Sequence, residues 1–527
     1  MSDATSVAVV ELLREAIAVY ADDPVGRGML ETYARRQEEP LRIAIAGMAK
    51  AGKSTLLNAI LGEEIAPTDT AECTKIVTWY RYADTPRVTL HPVEGEPENL
   101  PVRRIDGRLL LDVGRANAEE VDRLVVDWPS KSLRHITLID TPGMASASGD
   151  VSARSVRFLT PEDAPSEADA IVYLLRHMHA SDLQFLESFR DTTAGHSGTV
   201  NALAVLSRAD EIGAGRIDSL LSARVIAERY RHDDRLRALT LGVVPVAGLL
   251  AQSARSLRES EYTALVELAK LERAERERLL VSVDRFARSS QPPDVSPEMR
   301  TVLLDRFGLF GIRLATALLR GGIADSTALA HELARRSGLD ELLELINGQF
   351  HSRAAALKAR AALVAVESLL RERPRTGTGA LSASLERIQA SAHEFREMRL
   401  LATARTAGSI LSAELTEEAE RIVGGSGVDL PHRLGLPDSA SEDELRGRAL
   451  ENLRRWRSQA ENPLTDRASA DVCRIVVRSC EAAVAGIAAR SGRGAAVRPL
   501  LRPEPGAGSR EHADDERDDA EHELRGQ

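Results

Sequence analysis

Over the first 250 residues, short apolar runs alternate with stretches in which apolar positions recur every three or four residues. The runs are LRIAIA, KIVTWYRY, RVTLH, HITLID, AIVYLL, VNALAVLS and GVVPVA, the first beginning at Leu41. Such alternation predicts an α/β domain, a mostly parallel sheet with helices on both faces. Ahead of it, residues 5–37 read as one or two amphipathic helices, with Val9, Leu12, Leu13, Ile17 and Tyr20 on one face. After residue 255 the strand pattern stops and helical spacing runs to about residue 490, predicting an elongated α-helical bundle. From Gly338, the positions Leu339, Leu342, Ile346, Phe350, Leu357, Ala361 and Val364 keep steps of three, four or seven. Breaks are expected at 289–297, 372–382, 424–442 and 462–463, where Pro, Gly and Ser cluster. The expected division is therefore 1–39 N-terminal helices, 40–255 α/β domain, 256–490 helices and 491–527 an acidic, disordered tail.

Charge and composition narrow the partners. The chain carries a formal −11, which argues against a nucleic-acid partner. Residues 509–527 alone hold eight acids against three arginines. Cys73, Cys473 and Cys480 form neither a metal-ligand spacing nor a disulfide framework, pointing to a reducing compartment. The acids in MSDATSVAVVELLREAI do not suit a secretory signal. The most apolar stretch, from Phe307, carries Arg313 and Arg320 and reads as an amphipathic helix rather than a membrane span. A cytoplasmic location is expected, with any membrane contact peripheral.

Candidate chemistry begins with IAIAGMAKAGKSTLLNAI, residues 43–60. Gly47, four residues, then Gly52, Lys53 and Ser54 follow a strand and open a helix, the spacing of a phosphate-cradling loop. Backbone N–H groups through Ala51 and Gly52 converge on phosphate oxygens at a helix N-terminus. Lys53 is expected to bridge β- and γ-phosphates and Ser54 to ligate Mg²⁺, with Thr55 packing in the first turn. HITLIDTPG ends a strand in Asp140, an acid able to hold Mg²⁺ through water, and Gly143, whose N–H can meet a γ-phosphate. Met144 stands where small GTPases carry a water-orienting glutamine.

The base is read further along. VNALAVLS ends in Ser207-Arg208-Ala209-Asp210, a variant of the N/T-K-x-D guanine reader. The Asp210 carboxylate can accept from guanine N1 and N2, and the Arg208 stem can lie over the purine. The alternative for Ser207 or Asp210 is a helix N-cap. The backbone of Ala247 and Gly248 is expected to close the last wall. Between loop and acid, Thr74 is favoured as the switch hydroxyl that reaches Mg²⁺ on closure, with Thr68 and Thr70 as rivals. GTP and Mg²⁺ are the expected ligand and metal.

G-x-x-x-A-G-K-S-T-L-L-N, then P-T-D-x-x-x-C-T-K-x-V-T-W-Y-R, D-T-P-G and S-R-A-D-E-I-G resemble the motifs of bacterial dynamin-like GTPases. Within these the chain is similar to the actinobacterial isoniazid-inducible proteins, most strongly in the GTPase motifs and in RFGLFGIRL (306–314). The resemblance implies GTP hydrolysis without an exchange factor and pairing of GTPase heads. On that resemblance the expected pair is a homodimer or a hetero-assembly with a sister dynamin-like protein. It also implies a helical neck and stalk, and remodelling of an anionic membrane surface. At the position of Lys50, dynamins typically place a serine and guanylate-binding relatives an arginine finger. Lys50 is accordingly read either as a cation neutralising charge on the bridging oxygen or as a solvated lysine. A partner-binding GTPase switch is the competing class of function.

Two features remain open on sequence. Arg371, Arg373 and Arg375 surround Pro374 at an expected helix–helix turn, either a lipid-facing tip or an exposed polar turn. His177 and His179 read as loop residues rather than as metal ligands.

Overall fold

The computed structural model describes residues 3–67, 76–105, 108–110, 120–143, 159, 166–189, 201–406 and 411–496. Helices α1 (Asp3–Val19) and α2 (Pro24–Glu38) come first, followed by strand β1 (Leu41–Gly47) and helix α3 (Lys53–Leu61). Strands β2 (Val77–Tyr82), β3 (Arg87–Pro92), β4 (Glu98–Leu100), β5 (Arg103–Ile105), β6 (Arg108–Leu110) and β7 (Val121–Trp128) follow. Then come β8 (Ile136–Asp140), β9 (Ala170–Leu175), β10 (Ala202–Ser207) and β11 (Val243–Val246). Beyond β11, all regular elements among the described residues are helical.

Nine strands make one sheet in the order β11-β10-β9-β1-β8-β2-β7-β3-β4, with β5 and β6 a separate hairpin. The half from β11 to β8 is wholly parallel, and its strands are buried on both faces, as crossover helices require. On the other side β2 runs antiparallel to β8 and parallel to β7, while β3 is antiparallel to β7 and to β4. All seven apolar runs are strands. β7 is an added central strand that its sequence, VDRLVVDW, conceals: the buried Asp127 is held by Arg81 at 2.9 Å and Arg87 at 2.8 Å. Charged residues that find partners in the fold broke the apolar pattern.

The helical half is not set apart at residue 255. Helices Glu259–Lys270, Pro297–Arg320 and Ser326–Arg336 share a buried core with β1, β9, β10 and the helix Gly248–Arg255. The expected 255/256 division therefore passes through packed side chains rather than a linker. α1 and α2 pack instead on helices Ala354–Glu372 and Gly379–Ser391, where Val9, Leu12, Leu13 and Tyr20 are buried. The regular spacing read from Gly338 is interrupted. An α-helix Leu339–Leu345 gives way to a π segment Ile346–Phe350 and a 3₁₀ turn His351–Arg353 before the long helix Ala354–Glu372. The wider turn slips the buried face, so Ala362, Leu363 and Val366 are buried while Ala361 and Val364 are half-buried. The last helix runs to Ala496, past the expected start of the tail; residues 497–527 lie outside the described residues.

The 372–378 turn is polar and mostly exposed, the second of the two alternatives its sequence left open. Arg373 pairs with Asp23 at 2.9 Å, and Arg375 pairs with Asp22 and lies over the Tyr20 ring, 5.0 Å from its centroid. Two of the three arginines are thus committed to the α1–α2 turn rather than presented together.

Candidate functional site

β1 delivers the loop. Ile43 and Ile45 hold it in the sheet, and the strand ends at Gly47 with φ 147°, where a Cβ would sit 2.4 Å from the Leu174 carbonyl oxygen. Only glycine fits. Gly52 starts α3 in the left-handed region at φ 93°. Lys50 is also left-handed, at φ 61°, and its side chain is exposed. A non-glycine residue held there costs about 1–2 kcal/mol, so neighbours must fix it. One neighbour is visible: Arg208 Nη2 donates to the Lys50 carbonyl oxygen at 3.1 Å.

Lys53 is almost completely buried, and its Nζ donates to the carbonyls of Gly47 at 3.2 Å and Met48 at 3.3 Å. Burial lowers its pKa, opposed by the attraction of Asp140. Ser54 Oγ lies 3.0 Å from Asp140 Oδ2, and Asp140 Oδ1 is buried with no hydrogen-bond partner. Burial raises the Asp140 pKa against the pull of Lys53 and Ser54. A buried carboxylate oxygen left open beside a hydroxyl is a donor set that fits a hard divalent cation. Thr141, which the sequence reading passed over, ties this strand end to β1 through Oγ1 to the Ile45 carbonyl at 2.9 Å. Gly143 lies against the loop, where a Cβ would meet Ala49 Cα at 2.8 Å. Thr74, with its rivals Thr68 and Thr70, and Met144 lie outside the described residues.

Next to the loop is a cavity of about 150 Å³. Ala51, Gly52 and Thr55 border one side, Ser207, Arg208 and Asp210 the other, and Gly248 the end. Residues expected to act together from three separate segments are thereby brought to one space. Ser207 contributes wall rather than a free hydroxyl, since its Oγ donates to the Leu175 carbonyl at 3.2 Å. Arg208 adopts φ 53° and pairs with Glu211 at 2.5 Å, and Glu211 pairs in turn with Arg176 at 2.6 Å. Burial raises the Asp210 pKa, with Glu211 adding to the shift and a backbone hydrogen bond and Arg208 opposing it. Ala247 departs from expectation. It is fully buried; its N–H donates to Ser337 and its carbonyl accepts from Ala251, so neither group is turned to the cavity. Leu249 lines the space in its stead. Arg176 and Leu249 carried no motif spacing, and Glu211 stood in S-R-A-D-E-I-G without a role; their positions in the fold reveal them. His177 and His179 are ring neighbours at 6.4 Å, and no metal-holding group of three ligands occurs among the described residues.

A sheet with this order, a glycine loop feeding α3, a strand-end acid beside Ser54 and an acidic turn after β10 define a P-loop GTPase head. Residues 43–195 match the Dynamin family. The chain is 42% identical over 492 residues to the isoniazid-induced protein IniC of Mycobacterium tuberculosis, spanning 92% of this chain and 99% of that protein. The chain therefore belongs to the dynamin family of GTPases, as a bacterial dynamin-like member. It is also 32% identical over 130 residues to the bacterial dynamin-like protein of Nostoc punctiforme, spanning 23% of this chain and 18% of that protein. A solved structure of an oligomerised bacterial dynamin pair overlays 94% of this chain and 76% of that one at 12% identity. Its TM-score of 0.31 is too low to bear on the arrangement of the helices.

Proposed function

We propose that this head binds GTP with Mg²⁺, hydrolyses it, and couples turnover to pairing of heads on an anionic membrane surface. The observation that carries the nucleotide reading is the cavity between the glycine loop and Asp210. Leu56, Leu174, Val205 and Val246 give it an apolar side suited to a flat base, and the half-buried Asp210 matches the two N–H donors of guanine. Ser54 and Asp140 would hold Mg²⁺, which when bound neutralises charge on the β- and γ-phosphates. Lys53 would exchange its two carbonyl partners for phosphate oxygens. Lys50, displayed at the mouth of the loop, is the candidate cation for charge on the bridging oxygen. Thr74 is retained as the candidate switch residue.

Dynamin-family membership supports the membrane half of the proposal, with α1, α2 and the helices beyond residue 256 acting as neck and stalk. No helix among the described residues is long and apolar enough to cross a membrane, so the contact would be peripheral. The competing reading, a GTPase switch that binds a protein partner, is favoured by one observation: Arg373 and Arg375 are paired with acids. Co-sedimentation of the full chain with vesicles of anionic phospholipid, with and without a non-hydrolysable GTP analogue, separates the two. Nucleotide-dependent pelleting is expected. Normal GTP hydrolysis without pelleting in any condition selects the partner-binding switch, and hydrolysis of ATP in preference to GTP rejects the base assignment.

A further inference from the structure

The segment RFGLFGIRL stood out in the sequence without a role. It lies in the helix Pro297–Arg320, which is broken at Gly308 (φ 60°, ψ 175°) and presents an arginine to the head on each side of the break. On one side Arg306 is buried. It pairs with Glu64 at 2.6 Å and with the fully buried Glu261 at 2.6 Å, and donates to the Ser256 carbonyl at 2.8 Å. Glu64 belongs to the exit of α3, where Asn58 Oδ1 also accepts from the backbone of Ile65 at 2.9 Å and Ala66 at 2.7 Å. Residues 58–66 thus form one braced unit continuous with the phosphate loop.

On the other side Arg313 donates to the carbonyls of Gly215 and Leu280. Gly215 closes the loop that carries Asp210. That loop holds three successive left-handed residues, Gly213 (φ 64°), Ala214 (φ 62°) and Gly215 (φ 67°). A run of this kind, with an alanine inside it, is strained and persists only where surroundings impose it. Phe310 and Arg313 are the helix residues that approach it. Leu249, in the base cavity wall, lies close to Gly308.

We infer that residues 306–314 brace the GTPase centre at two points. Arg313 is a positioning residue for the guanine-reading loop, and Arg306 is one for the exit of α3. The inference rests on the GTP reading above. Removing Arg313 frees two carbonyls and lets the left-handed run relax, which moves Asp210 relative to the base. Removing the Arg306–Glu64 tie leaves the base side intact and loosens the phosphate side.

The test is steady-state hydrolysis of GTP and of ITP, whose base lacks the 2-amino donor, with melting temperatures measured in parallel. Arg313→Gln should raise KM for GTP about tenfold, the loss of one or two charge-assisted hydrogen bonds, with kcat within roughly twofold. It should also abolish discrimination against ITP. Arg313→Lys, able to satisfy one carbonyl, should recover part of both effects, and it carries the test if the glutamine variant does not fold. Glu64→Gln should lower kcat about tenfold at near-constant KM. An unchanged GTP/ITP ratio in the folded Arg313 variants overturns the inference. Equal losses in kcat and kcat/KM that track the melting temperature in both arms do the same. Wild-type protein that fails to hydrolyse GTP overturns the functional reading itself, whereas active wild type with flat variants overturns only the brace.

Discussion

Ser54 Oγ stands 3.0 Å from Asp140 Oδ2, joining the first turn of α3 to the end of β8. The second Asp140 oxygen is buried and has no hydrogen-bond partner. The pair is preorganised by β1, which sits between β8 and β9 and sends its loop across their ends. Ser54→Ala should reduce kcat/KM for Mg²⁺-supported GTP hydrolysis roughly a hundredfold, the scale of losing metal stabilisation, and raise the Mg²⁺ requirement. Chelation of Mg²⁺ should abolish turnover in both proteins. A Mg²⁺ titration of initial rates checks both outcomes.

Asp210 makes a pH-dependent prediction. Burial raises its pKa, so it takes up a proton at higher pH than a free aspartate, whose value is about 3.9. Protonation removes an acceptor for the base, so KM for GTP should begin to climb on acidification above that value. The stability contribution has the opposite sign. A raised folded-state pKa stabilises the unliganded protein below the unfolded value, and that stability is lost as pH rises through the folded one. Asp210→Asn should flatten both responses and shift preference from GTP to xanthosine triphosphate. KM and melting temperature measured across the same pH series test the two signs together.

Lys50 presents its side chain at the rim of the loop, while its carbonyl is gripped by Arg208. If the ammonium acts on developing charge, Lys50→Ala should lower kcat about tenfold with KM within roughly twofold. Measurement with and without added Na⁺ or K⁺ distinguishes a built-in cation from a bound one. Equal turnover in wild type and variant would dismiss the role.

Gly308 tests the break in the long helix. A Cβ there would meet only Leu249 Cδ2, at 3.8 Å, so alanine clashes with nothing. The cost is in the backbone, because φ 60° with ψ 175° is a glycine conformation. Gly308→Ala should destabilise by about 1–3 kcal/mol, read from urea unfolding midpoints at constant m-value. At Gly47, by contrast, both φ 147° and the carbonyl at 2.4 Å oppose a side chain, and Gly47→Ala should lose nucleotide turnover outright.

Arg373 and Arg375 clamp the 372–378 turn to Asp23 and Asp22, and Tyr20 adds a hydrogen bond to the Arg373 carbonyl at 2.8 Å. Replacing both arginines by alanine should lower the melting temperature and leave vesicle binding unchanged. Loss of vesicle binding at constant melting temperature would instead restore this turn as a lipid-facing tip.

Local chemistry made much of the candidate site readable in advance. Glycines at 47 and 52, the Lys53-Ser54 pair and the acids at 140 and 210 each follow a strand whose apolar run is visible by itself. Helical periodicity was equally plain in α1, where the face predicted from Val9 to Tyr20 is the face that packs, with Ile17 half-buried against the same core. Ala247 was misjudged because its neighbour Ser337 is distant in sequence. The face beyond Phe350 was misjudged because a single π turn shifts everything after it.

By itself, then, the sequence determined most of the elements and the position of the candidate phosphate loop, since both follow from spacing over a few residues and from backbone conformations open mainly to glycine. The tertiary structure decided what those elements touch. It inserted β7 beside β2, gave the head a core that continues past residue 255, tied Asp23 to Arg373 across 350 residues, and set Arg306 and Arg313 on either side of one glycine. The physical reason is that periodicity records which face of an element is apolar, whereas the partner of a charged side chain is chosen only when distant segments close around it.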